Sequence, residues 1–364
     1  MLGAEAIQAT LQSVQLSTVD AMYVGNAYGS TFSSQAQLGA LIADYAGLKG
    51  IEAYCVESGD ASGAAALRTG YMAIASGLID TAIVLGVEKS TDAIGSNRVK
   101  GRSVSLDADY ESVHGATLTA LAAMIMRRYM HEYQLGLGVF EGFTINAHRN
   151  GNVNESAMFR NLIKPGGYAR ASMISDPVNL FDGAPDADGA AAVILTTPER
   201  AADLTDVPVM IVGSAVGTDS LALQDREDLL YFRAADESAY RAYQQAGVTT
   251  AEIDLFELHD AYTIFSALTL EATGFAGRGE GWTLANNAGE ALGLKGSIPI
   301  CTFGGLKSRG NPVGATGVYQ ALEAYLQLTG RAGKNQVPNA KIAAIQNLGG
   351  AASTAITHIL KVGG

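Results

Sequence analysis

Hydrophobic positions along the chain keep two rhythms, and the alternation between them predicts the elements. Ala4, Ile7, Leu11 and Val14 recur every three or four residues, which predicts an amphipathic helix at the very start. A short apolar run, Ala21–Gly25, then predicts a strand. Val56–Ser58 runs up to a small-residue stretch, Asp60-Ala-Ser-Gly-Ala-Ala-Ala, expected to open a helix reaching Ser76. Thr81–Val87 and Ala190–Leu195 are continuously apolar and bounded by turn residues, as strands buried on both faces are. A helix is predicted from Thr117 to Tyr133. A second series follows Pro208: a strand at 208–213, a helix over Ser238–Ala246, a strand at Leu255–Leu258, a helix over Tyr262–Thr273, and strands at Ile342–Ile345 and Ala355–Leu360.

Strands alternating with helices predict an α/β protein with parallel sheets covered by helices. Two βα series of similar length suggest two sheet-containing halves, residues 1–200 with an inserted loop region and residues 207–364. The residues themselves show no close internal repeat. An α/β domain usually opens with a strand, so the helical start predicts that an opening strand has been trimmed away.

Composition narrows the function classes. The 364 residues are 48% hydrophobic and 16% charged, enough for two packed cores. The formal net charge is −12, which repels nucleic acid and anionic membranes and predicts neither as a partner. An anionic ligand would need a local basic patch, and Arg127, Arg128, Arg149, Arg160, Lys164, Lys307 and Arg309 are the residues that could supply it, although for most of them a solvated surface charge is the stronger reading. Two cysteines, Cys55 and Cys301, are too few for a disulfide framework or a cysteine zinc site, and no metal site is expected. With no signal peptide and no long apolar run, a reducing cytoplasm is the expected location.

Four segments carry candidate chemistry. In Val56–Arg68 a strand turns through small residues into a helix, so Asp60 falls at the apex, at the positive end of the helix dipole, where an anion stays ionised easily; the plainer reading is a helix cap. Glu257-Leu-His-Asp-Ala-Tyr-Thr263 places His259, Asp260 and Tyr262 at the carboxyl end of a buried strand, where α/β proteins put ligand groups, or where Asp260 merely caps the next helix. Phe303–Gly317 crowds glycines around Asn311-Pro312, implying a tightly shaped loop; it lacks the Lys-Ser/Thr spacing of a P-loop. Gln346–Ser353 again presents backbone N–H groups after a strand, at Gly349 and Gly350.

Taken in order, these segments resemble the thiolase superfamily, in particular its archaeal and sterol-carrier-type members. Asn146–Gly151, Ile174–Asp182 and Asp188–Val193 match as well, so the resemblance runs from about Leu2 to Leu360. It implies a layered α-β-α-β-α core of two similar halves, paired as a dimer. It also implies a site built on a nucleophilic cysteine, an activating histidine and a second, proton-shuttling cysteine. Those three positions read Asp60, Asn311 and Ala261 here, and neither Cys55 nor Cys301 substitutes by register. A carboxylate cannot carry an acyl group without forming a labile anhydride, so ordinary thiolase activity is not expected.

What the resemblance leaves is a binder of coenzyme-A thioesters, with the thioester as substrate and no covalently bound cofactor. The expected chemistry is aldolase-type carbon–carbon bond making or breaking through a thioester enolate. Asp60 is the expected base, His259 and Asn311 the oxyanion donors, Tyr262 an auxiliary acid, and Gly349 and Gly350 backbone donors, while Arg149, Lys307 and Ser308 are expected to bind substrate. Alternatives are a silent subunit paired with an active acyltransferase paralogue, an acyltransferase, or a decarboxylase. The resemblance further implies a homodimer or heterodimer and a small OB-fold, zinc-ribbon partner. The segments Asn97–Tyr110 and Gly274–Ala288 are read as substrate loops.

Overall fold

The computed structural model describes residues 1–363. Its strands, in chain order, are β1 (Ala21–Gly25), β2 (Glu52–Val56), β3 (Thr81–Glu88), β4 (Met173–Ser175), β5 (Val178–Asn179), β6 (Gly189–Thr196), β7 (Val209–Thr218), β8 (Leu255–Glu257), β9 (Ile342–Gly349) and β10 (Thr354–Val362). They form two four-stranded sheets, ordered β2-β1-β3-β6 and β7-β10-β9-β8, and one small hairpin of β4 and β5.

The sheets are mixed, which corrects the expectation of parallel ones. β1 runs parallel to both β2 and β3, but β3 pairs antiparallel with β6, Glu88 opposite Gly189. In the second sheet β8 is parallel to β9, while β10 is antiparallel to β9 and to β7. The link from β9 to β10 is only Gly350–Ser353, and so short a connection cannot cross over to make a parallel pair. The topology also shows a duplication that the residues hide. β1-β3-β6 and β8-β9-β10 share the same pattern, a parallel pair followed by an antiparallel one.

Helices layer these sheets. Helices Leu2–Ser13 and Leu38–Ala46 cover the outer face of the first sheet, burying Ile7 and Leu11, and helix Arg233–Ala246 covers the outer face of the second. Between the sheets lie helices Ser62–Ala75 and Thr316–Leu328, which gives the α-β-α-β-α order. Their first turns meet backbone to backbone. A Cβ added at Gly63 would sit 2.7 Å from the carbonyl oxygen of Gly314, and one at Gly317 would collide with Ala64 N. The small-residue runs at 60–66 and 314–317 are therefore there to let two helix starts approach, each directed at the same place. No helix is long and apolar enough to cross a membrane among the described residues.

Candidate functional site

The place where those helix starts meet is built from both halves. After β2, Gly59 takes a left-handed backbone (φ 56°) and Ser62 Oγ both accepts from Ser58 N and donates to the Gly59 carbonyl, closing a tight turn before helix Ser62–Ala75. Asp60 sits on that turn with 0% exposure. It does not cap the helix: Tyr28 donates to Oδ1 over 3.4 Å, Arg102 Nη2 stands 3.8 Å away, and Oδ2 has no partner. Burial pushes its carboxyl above the usual range, with the Arg102 charge pulling the other way. The helix dipole therefore does not win here, because removing a carboxylate from water costs more than the dipole returns.

From the other half, β9 ends in Asn347, Leu348 and Gly349. A Cβ built on Gly59 would come within 3.8 Å of Gly349 Cα and 3.7 Å of Gly350 N, so the two turns face each other. Asn347 Nδ2 lies 2.7 Å from His259 Nδ1 and donates to it, which leaves the ring proton on Nε2. That Nε2 is buried with no partner. Burial, with help from Arg102, Arg309 and Lys307, pulls the pKa of His259 down to about 3, so the ring is neutral and Nε2 is a free donor. Asp260 does not cap the helix that follows it. Its Oδ1 instead accepts from Leu306 N at 2.7 Å and so shapes the glycine-rich loop.

Asn311 leaves that loop held by its backbone: Asn311 N donates to the Pro185 carbonyl at 2.9 Å and its carbonyl accepts from Ala187 N at 3.1 Å. Its Oδ1 accepts from Val313 N at 3.0 Å, and its amide nitrogen makes no hydrogen bond among the described residues. Tyr262 O–H pairs with the Thr119 hydroxyl at 2.7 Å, and burial pushes its pKa up to about 12.

A cavity of about 990 Å³ opens against Arg102, Ala261, Tyr262, Lys307 and Asn311. Its walls include Leu118, Phe159, Leu162, Ile163, Ile174, Leu180 and Phe181, with Arg98, Lys164 and Arg170 among them. Arg102 lies between this cavity and the buried Asp60: it lines the one and approaches the other.

The expected substrate residues divide. Lys307 is on the cavity, buried, with Nζ donating to the Asp182 carbonyl. Ser308 is sequestered, its hydroxyl donating to the Phe159 carbonyl at 2.6 Å. Arg149 lies on a separate depression with Thr283, Asn287 and Lys295, its guanidinium donating to the Ala288 carbonyl at 2.8 Å. The segment 274–288 sits by that second depression as well, whereas 97–110 does face the main cavity. Several members of the proposed basic patch are spent elsewhere: Arg127 pairs with Asp176, Arg128 with Glu132, and Arg309 with the buried Glu323. Neither thiol lines the cavity. Cys55 is exposed on the edge strand β2, and buried Cys301 lies 3.8 Å from the Leu258 carbonyl. Sequence reasoning missed Tyr28 and Thr119, which reach the site from segments with no motif of their own; Asn347 lies in the Gln346–Ser353 turn and Arg98 and Arg102 in the 97–110 segment, but those side chains were not singled out there. Among the described residues no three His, Cys, Asp or Glu side chains gather as a metal site.

Comparison with known proteins agrees with this architecture. Residues 1–172 match the thiolase N-terminal domain family, and residues 215–362 the thiolase C-terminal domain-like family. An acetyl-CoA acetyltransferase of Methanothermobacter thermautotrophicus is 39% identical over 95% of this chain and 89% of its own length. The benzoylsuccinyl-CoA thiolase subunit BbsB of Thauera aromatica is 27% identical over 96% of this chain and 88% of its own. Among solved structures, a chain of the Ltp2-ChsH2(DUF35) aldolase superposes with a TM-score of 0.84 at 21% identity, covering 99% of this chain and 92% of that one. With two such halves meeting at one buried turn, and a relative this similar over nearly its whole length, the chain belongs to the thiolase family.

Proposed function

We propose that the protein binds a coenzyme-A thioester and makes or breaks a carbon–carbon bond beside it through an enolate, with no acyl-enzyme. The observation that supports this reading is the pair of buried, unpartnered polar atoms Asp60 Oδ2 and His259 Nε2; neither residue lines the cavity itself, but Arg102, which does, approaches Asp60. Orphaned buried groups are expensive, and a ligand that completes them is one reason for keeping them. In the bond-breaking direction Asp60 takes the proton of a β-hydroxyl, and its raised pKa makes it a stronger base. The bond between the α and β carbons then breaks, the β carbon becomes a carbonyl, and the electron pair runs to the thioester oxygen. His259 Nε2 and the Asn311 amide stabilise that oxygen, each such donor contributing about 3 kcal/mol, with backbone N–H groups at Gly349 and Gly350 in support. Tyr262, still protonated at neutral pH, returns a proton to the α carbon. On this reading the chain functions as two halves, residues 1–200 and 207–364.

The test is turnover of 3-hydroxyacyl-CoA thioesters to a shorter acyl-CoA and a carbonyl compound. An Asp60→Ala protein that retains the full rate rules out this assignment. A second reading, a silent subunit paired with an active paralogue, draws on Asp60, Ala261 and Asn311 together occupying positions where the family's chemistry needs other groups. It requires copurification with a cysteine-containing partner whose activity survives Asp60→Ala. Pairing in either case suits the exposed edge strand β2, which presents Tyr54 and Cys55. The name of the aldolase structure joins it to a DUF35 protein, and a small partner of that kind is proposed here too.

A further inference from the structure

We propose that Arg98 and Arg102 form a carboxylate-selecting subsite in the cavity wall, so that the acyl group of the preferred thioester carries a carboxylate of its own. This rests on the thioester reading above. Helix Ser96–Arg102 places the two arginines four residues apart, on one face, and both line the cavity. They converge on one carboxylate. Arg102 Nη1 is 2.6 Å from Asp186 Oδ1, and Arg98 Nη1 is 3.4 Å from Oδ2. Among the described residues lining the cavity Asp186 is the only acidic side chain, against the cationic Arg98, Arg102, Lys164, Arg170 and Lys307, and it is the one that the two converging guanidiniums share. Asp60, the next nearest carboxyl, does not line the cavity and lies 3.8 Å from Arg102, too far for a hydrogen bond. The cavity lining is thus positively charged, on a chain whose overall charge is −12.

The position of the two guanidiniums decides what they bind. Asp186 lies between Pro185 and Ala187, the two residues whose backbone holds Asn311. Arg102 also stacks over the Tyr28 ring at 5.6 Å, and Tyr28 donates to Asp60. The guanidinium pair is thus tied to Asp60 and Asn311, the groups that the thioester reading assigns to the reacting carbon. A planar, paired guanidinium surface matches a carboxylate, and such charge-assisted contacts are the strong ones.

The experiment measures calorimetric affinity of the full chain for two unreactive thioesters of equal carbon count, glutaryl-CoA and pentanoyl-CoA, with coenzyme A as reference. Glutaryl-CoA is expected to bind about tenfold tighter or more. Arg98→Met should bring its affinity down to about that of pentanoyl-CoA, and Asp186→Asn should widen the preference by freeing both guanidiniums. Arg98→Lys, which keeps the charge and the stem, should retain part of the preference and so guards against loss of fold. Equal wild-type affinity for the two thioesters overturns this inference while leaving the thioester reading intact. Weaker binding of all three ligands in Arg98→Met assigns the arginines to the coenzyme phosphates and overturns it as well. If none of the three binds, the thioester reading itself fails and takes the subsite with it.

Discussion

Replacing Asp60 by Asn should stabilise the protein while removing its proton-transfer group. Asp60 is wholly buried, its Oδ2 has no partner, and Arg102 approaches no closer than 3.8 Å. Arg102 keeps its 2.6 Å bond to Asp186, so the substitution does not strand a cation. Relieving one poorly satisfied buried charge is worth about 1–3 kcal/mol. At about 2.1 cal/mol/K per residue, unfolding 364 residues carries an entropy near 0.76 kcal/mol/K, so the expected rise in Tm is about 1–4 °C. The effect has a pH signature. The folded-state pKa of Asp60 is raised, so the unfolded chain gives up this proton first. Wild-type stability therefore falls as pH climbs from the ordinary aspartate value, about 3.9, up through the folded one. The asparagine protein lacks that fall, so the difference in Tm should be small near pH 4, grow with pH and then level off. Thermal melts of both proteins between pH 4 and 8 measure it, alongside turnover. A protein that melts several degrees lower at pH 7 refutes the reasoning, since Asp60 would then be a stabilising partner of Arg102.

Other substitutions probe other links. Asn347→Leu removes the donor that fixes the His259 ring proton on Nε2; at about 1–2 kcal/mol this should cost roughly five- to thirtyfold in kcat/KM, with little change in a carboxylate-dependent pH limb. Glu323→Gln breaks the buried 3.1 Å pair with Arg309 and should destabilise by about 3–5 kcal/mol, read from denaturant melts. Gly317→Ala drives a methyl into Ala64 N where the two inner helices touch, and should cost about 1–3 kcal/mol or more together with a loss of soluble yield. Arg102→Met strips Asp60 of its nearest positive charge and should move the acidic limb of the pH–rate profile to higher pH.

The chain's own rhythm determined most elements. Ala21–Gly25 forms as the pattern predicts, Thr81–Val87 gains only Glu88, and Thr117 caps helix Leu118–Glu132 by accepting from Ala120 N at 3.1 Å. Strand and helix periodicity are local properties, set by which face each side chain meets, so a single sequence suffices to read them. The linear order of the glycine-rich turns likewise marked Asp60, His259 and Asn311 as residues to examine. Only the tertiary structure decided the strand directions, because pairing depends on which strands become neighbours after long connections. It alone brought Tyr28, Arg102 and Asn347 to those residues, across sequence separations that no local pattern spans. It also separated Arg149 and Ser308 from the cavity that holds Lys307. The ionisation of Asp60 shows the same division: a helix entrance favours its charge, but burial is a property of the packed whole, and burial outweighs it.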